Sequence, residues 1–216
     1  MKPKLVIFDW DGTLADTTNP IIETMQLSFH HCGLQAPEAD DIRRLIGYSL
    51  PQIMQILAPE ADYRTHAELI AAYSGHYLNP NNHHMRLFPD ALPCLNELKQ
   101  QGYWLAVATG KGRTGLDQAI RQTDTADFWL ATTCASECPS KPAPDMVFKL
   151  CDELGLPAAE TVVIGDTTFD LDMAANAKTR GIGITTGAHT AAQLQQSPYL
   201  TLLNRLSELP DFLASL

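Results

Sequence analysis

Five short apolar runs constrain this chain more than any other feature. They are KLVIF (residues 4–8), YWLAVAT (103–109), FWLATT (128–133), TVVIGD (161–166) and GIGITT (181–186). Each is nearly continuous in hydrophobicity. A strand with one wet face alternates apolar and polar residues, whereas a strand covered on both faces does not. The runs therefore predict a parallel sheet with helices on both sides. Helical patterns lie between them. Residues 91–101 carry Leu92, Leu95 and Leu98 at helical spacing, with Gly102 at the exit. Residues 145–154 carry Met146, Leu150 and Leu154, with Pro144 ahead and Gly155 behind. Proline at the start and glycine past the end is the expected polarity of a helix. The alternation predicts an α/β fold with a doubly wound parallel sheet.

One segment breaks the alternation. From about residue 18 to 84 there are helical stretches and no convincing strand. NPIIETMQLSFHHCG offers Asn19 as an N-cap, Pro20 in the first turn and Gly33 at the exit. DDIRRLI, PQIMQIL and HAELIAAYSGHYL follow. The segment reads as a small all-helical cap domain (17–83) inserted after the first strand of an α/β core (1–16 and 84–216). A chain of 216 residues can bury one core and a smaller insert. The C-terminal LTLLNRLSELPDFLASL is amphipathic and is expected to pack on the core.

Composition removes some classes of function. With 45% hydrophobic and 19% charged residues the chain is expected to be globular rather than disordered. A net charge of −10 argues against nucleic acid as a partner. No run approaches the roughly 20 apolar residues a membrane span needs, so no membrane partner is expected. The first apolar run is too short for a signal peptide and is broken by Asp9. The five cysteines are odd in number and irregular in spacing, which reads as reduced thiols in a cytoplasmic protein. A monomer or weak homo-oligomer is expected. Neither His30 and His31 nor His83 and His84 reads as a joint metal site, because adjacent positions do not share a helix face.

The chemistry lies in four polar clusters, each at or beyond the end of a strand. They are Asp9, Asp11 and Thr13; Thr109, Gly110 and Lys111 in ATGK; Lys141 in SKPAPD; and Asp166 and Asp170 in GDTTFD. In open parallel sheets ligands bind outside the carboxyl ends of the strands, so the four clusters converge on one site. Gly12 frees the chain to turn after Asp11.

In this order, DWDGTLADT, ATGK, SKPAPD and GDTTFD resemble the four motifs of the haloacid dehalogenase superfamily, most closely its phosphoglycolate phosphatase and β-phosphoglucomutase group. The helical segment falls where that group carries its α-helical cap. The resemblance implies a phosphomonoesterase acting on a small phosphorylated metabolite. Asp9 would be the nucleophile that forms an aspartyl-phosphate, and Asp11 the acid/base that moves protons. Thr109, the Gly110 amide and Lys141 would hold the phosphoryl group, with Thr13 supporting the loop. A phosphate ester and a carboxylate repel one another, so a hard divalent cation is expected, most simply Mg²⁺ held by Asp9 and Asp166 with help from Asp170. The resemblance adds the backbone carbonyl of Asp11 as a ligand.

Three other activities are weighed against this one. A phosphomutase or phosphotransferase would use the same nucleophile. A dehalogenase has no use for Asp11. A non-catalytic regulator that binds partners has no reason to keep every acid, the lysine and the threonine. Trp10, bulkier than the residue common between the two acids, is expected to point away from the metal and pack under the cap. Gly110 stands where the group often has Asn or Ser. Lys111 could reach a substrate or face water. Arg43 and Arg44 read as a solvated helix face. Asp16, Thr17 and Asp172 read as structural.

Overall fold

The computed structural model describes residues 2–79, 82 and 85–216. His83 and His84, and with them the expected end of the cap, lie outside the described residues. The elements run β1 (Leu5–Phe8), α1 (Thr18–His31), α2 (Ala39–Arg43), α3 (Leu50–Leu57), α4 (Tyr63–Tyr77), α5 (Ala91–Gln100), β2 (Trp104–Thr109), α6 (Arg113–Thr123), β3 (Ala131–Cys134), α7 (Asp145–Leu154), β4 (Thr161–Gly165), α8 (Thr168–Asn176), β5 (Arg180–Ile184), α9 (Ala191–Leu194), β6 (Thr201–Leu203) and α10 (Leu209–Ala214). Among the described residues six strands form one sheet in the order β3-β2-β1-β4-β5-β6, and every neighbouring pair is parallel.

The sheet explains why its strands are apolar throughout. Leu5 and Ile7 of β1 face Met146, Val147 and Leu150 of α7 and Met173 of α8. Val6 and Phe8 face the other way, toward Leu95 and Leu98 of α5, Leu116 of α6 and Leu209 and Leu213 of α10. All four β1 residues are fully buried. Each such side chain contributes about 1.5–3 kcal/mol by leaving water. With β1 central, Phe8 lies level with Val107 of β2 and Ile164 of β4, so the clusters that follow these strands emerge side by side.

Helices α1 to α4 form the insertion after β1 and carry a hydrophobic cluster of their own, centred on Met25, Phe29, Ile42, Met54 and Leu69. The chain leaves and re-enters the core on adjacent tracks. Asp16 N–H donates to Arg86 O at 2.9 Å, and Phe88 N–H to Leu14 O at 2.9 Å.

Three local readings are corrected. Thr17, not Asn19, stands at the N-cap of α1, and its hydroxyl does not cap the helix. The third strand begins later than FWLATT suggests, because residues 126–128 close a 3₁₀ turn and strand-type pairing starts where Leu130 N–H meets Leu105 O. The amphipathic C-terminal run packs on the core as expected, opening with the edge strand β6 before its helical turns. Trp10 is fully buried, but it packs within the core against Trp129, ring centroids 6.2 Å apart, rather than under the cap.

Candidate active site

The carboxyl ends of β1 and β4 deliver Asp9 and Asp166 into one buried cluster, and the first turn of α8 adds Asp170. Oxygens from these three carboxylates all lie within 4.8 Å of one another. Lys141, itself fully buried, places its Nζ 2.6 Å from Asp9 Oδ1 and 2.6 Å from Asp170 Oδ1. The other Asp170 oxygen accepts from Thr167 N–H (3.1 Å) and Oγ1 (2.7 Å), closing a capping box at the start of α8. Asp170 thus caps its helix and anchors Lys141 together. Asp166 accepts from Thr13 Oγ1 at 2.8 Å and from the Ala188 amide at 2.7 Å. Gly12 takes the left-handed conformation (φ 78°), and a side chain there would drive into the Asp166 carboxylate.

The electrostatics follow from one ammonium shared among three buried acids. Burial, reinforced by the charges of Asp170 and Asp11 and opposed by Lys141, raises the Asp9 carboxyl to about 7. Burial, with the charges of Asp9 and Asp170, also lifts Asp166 well above the ordinary carboxyl range, against the Ala188 and Thr13 hydrogen bonds. Burial works against the charge on Lys141, but the Asp170 and Asp9 carboxylates outweigh it and hold the ammonium above its usual pKa. With all three acids ionised, one ammonium leaves a deficit of two positive charges, and the raised Asp9 and Asp166 carboxyls reflect that deficit. A divalent cation on oxygen ligands fits that deficit and that donor set.

The Asp11 carboxylate stands apart from this cluster. Its Oδ1 accepts from Thr17 Oγ1 at 2.6 Å and pairs with Lys111 Nζ at 2.9 Å. Lys111 also donates to Tyr77 OH of the cap at 3.0 Å. Lys111 therefore does not face water: it is buried and holds Asp11. Thr17, read from sequence as structural, holds the same carboxylate. Thr109 is buried at the end of β2, and its hydroxyl accepts from Lys111 N–H at 3.3 Å.

The cap closes directly over Gly110. A Cβ at that position would stand 2.6 Å from Tyr48 O and 2.7 Å from Gly47 O. The Tyr48 ring packs on Phe169 with centroids 3.9 Å apart, and Ser49 N–H donates to Ser140 Oγ at 2.8 Å. Between cap and core lies a cavity of about 520 Å³ bordered by Asp9, Asp11, Thr109, Gly110 and Lys111. Arg43 and Arg44 are not part of it. Arg44 pairs with Asp41 on the outer surface, as the solvated-face reading has it, whereas Arg43 is half-buried, 3.9 Å from Asp40, with its Nε enclosed. Sequence reasoning had no signal for Thr17, the Ala188 amide or Tyr77 at this site. For Lys111 it had the motif but not the partner.

A family model described as haloacid dehalogenase-like hydrolase matches residues 6–184. The protein named "Probable phosphatase IndB" from Dickeya dadantii is 35% identical, covering 96% of this chain and 92% of its own. A phosphoglycolate phosphatase from Vibrio parahaemolyticus is 27% identical over 98% of this chain and 96% of its own. A solved chain from Bacteroides fragilis, assigned to the haloacid dehalogenase-like hydrolases, superposes with a TM-score of 0.88 at 29% identity, over 96% of this chain and 100% of that one.

Proposed function

The chain belongs to the haloacid dehalogenase-like hydrolase family, and we propose that it is a Mg²⁺-dependent phosphomonoesterase working through an aspartyl-phosphate on Asp9. The observation that carries the proposal is the buried cluster of Asp9, Asp166 and Asp170 around Lys141, whose Asp9 borders a cavity the cap covers. Asp9 and Asp166 would hold the Mg²⁺, with the Asp11 backbone carbonyl, and Asp170 would act chiefly through Lys141. Bound there, the ion supplies the missing positive charge and polarises the phosphoryl oxygens.

Asp9 attacks phosphorus, and its new bond to phosphorus forms as the ester P–O bond breaks. Asp11, held by Thr17 and Lys111, gives its proton to the departing oxygen. It then takes a proton from the water that attacks phosphorus and frees Asp9. Thr109, the Gly110 amide and Lys141 hold the phosphoryl oxygens, and each such donor is worth about 3–4 kcal/mol in the transition state. Residues 17–83 act as a cap that closes on the bound ester and excludes water during the first step. Phosphoglycolate phosphatases among the relatives catalyse this class of reaction by name. The test is phosphate release from phosphomonoesters with Mg²⁺ or with EDTA, for wild type and Asp9→Asn. Metal-dependent release that vanishes in Asp9→Asn supports the reading; release that survives in the variant removes it.

A further inference from the structure

Resting on that reading, we propose that the ester this site is built for has an uncharged leaving group with a mainly apolar or aromatic body. The charged side chains bordering the cavity, Asp9, Asp11, Lys111 and Arg113, all come from the core and none from the cap. Asp9, Asp11 and Lys111 border the phosphoryl end. Away from it the walls come from the cap: Ile21, Met25, Ile46, Ile53 and Ile70 supply aliphatic surface. Tyr73 and Tyr77, stacked at 5.4 Å with an interplanar angle of 11°, make a flat aromatic wall, and Tyr48 adds a third ring. The remaining side chains that offer hydrogen bonds there include the neutral hydroxyls of Ser74, Thr114 and Ser136.

The cations bordering the cavity are already committed. Lys111 pairs with Asp11 at 2.9 Å. The Arg113 guanidinium pairs with Glu137 at 2.6 Å and Asp117 at 3.2 Å. Among the described residues no arginine, lysine or histidine of the cap lines the cavity. Arg43, Arg44 and Arg64 do not border it: Arg44 and Arg64 pair with Asp41 and Glu68, and Arg43 lies 3.9 Å from Asp40 with its Nε buried and unpartnered. A carboxylate or second phosphate on the substrate would therefore be drawn from water into a wall of methyl groups and rings with no counter-charge, which is strongly unfavourable. An apolar body of matching size gains by the same transfer. A cavity of about 520 Å³ accommodates a phosphoryl group together with a ring-sized substituent. The surface thus disfavours phosphoglycolate, diphosphates and sugar bisphosphates as substrates.

Two matched pairs test this in the intact protein with Mg²⁺: phenyl phosphate against 4-carboxyphenyl phosphate, and benzyl phosphate against phosphoglycolate. We expect kcat/KM to favour the uncharged member of each pair by at least about tenfold, the penalty for burying an unpaired carboxylate. In Ile70→Arg, which sets a cation in the wall, both ratios should contract toward one. Equal or preferred turnover of the acidic members by wild type overturns the proposal and leaves the phosphatase reading standing. Turnover of none of the four esters removes the phosphatase reading, and this proposal with it.

Discussion

Gly110→Ala is the most informative small change to this protein. The added Cβ would sit 2.6 Å from Tyr48 O, where ordinary contact begins at 3.4 Å. The cap backbone must therefore retreat by about 0.8 Å, and the obstacle is main chain rather than a side chain that can swing away. The 47–49 segment is also fastened to the core by the Tyr48–Phe169 contact and by Ser49 N–H to Ser140, so a retreat disturbs both. Displacing a closing element by about 1 Å can cost on the order of 100-fold in rate. We predict a loss of about 10- to 100-fold in kcat/KM, measured with 4-nitrophenyl phosphate and Mg²⁺, with circular dichroism unchanged. Gly112 lies in the same loop with φ −78° and nothing within 4 Å of its would-be Cβ, so Gly112→Ala should stay within a few-fold of wild type. A folded Gly110→Ala enzyme with wild-type kcat/KM, or equal losses in the two variants, would refute the claim that cap closure is read through this contact.

Further expectations concern charge. In the metal-free protein the folded Asp9 and Asp166 carboxyls hold protons that the unfolded chain gives up near pH 4. Stability should therefore fall as pH rises from about 5 to 7.5, and added Mg²⁺ should raise Tm more at pH 7.5 than at pH 5, as differential scanning fluorimetry can show. Glu137, whose carboxyl is held down to about 2 chiefly by Lys149 and Arg113 against its partial burial, contributes stability that is lost only as pH falls below about 4.5, outside that window. Lys141→Met strips Asp9 and Asp170 of their ammonium and should cost about 3–5 kcal/mol in urea unfolding at pH 7.5 with EDTA. Tyr77→Phe removes one hydrogen bond to Lys111 while keeping the stacked ring. Its kcat should fall about 2- to 10-fold with little change in KM, the scale of one hydrogen bond of 0.5–1.5 kcal/mol; an unchanged kcat would show that this contact does not position Asp11.

The core of the fold was legible because a sheet covered on both faces leaves continuous apolar runs, and because a helical stretch with no strand signal interrupts them once. Asp9, Asp166, Asp170 and Lys141 could be grouped because parallel strands deliver their carboxyl ends to one edge. What stayed hidden depends on partners distant in sequence. Lys111 looks ambiguous until Asp11 and Tyr77 flank it. Thr17 looks like a helix start, and its hydroxyl serves Asp11 instead. The Ala188 amide carries no side-chain signal at all. Strand β6 is three residues long at the sheet edge, inside a run legible only as amphipathic, and pairing with β5 is what makes it a strand.

The central claim is that Asp9 takes up the phosphoryl group. It is tested most directly by mixing enzyme, Mg²⁺ and ester, quenching in acid within the first turnover, and mapping the digest by mass spectrometry. A phosphoryl adduct on the peptide bearing Asp9, absent in Asp9→Asn, is the predicted result. Turnover with no adduct on that peptide, or an adduct on another residue, would contradict the account.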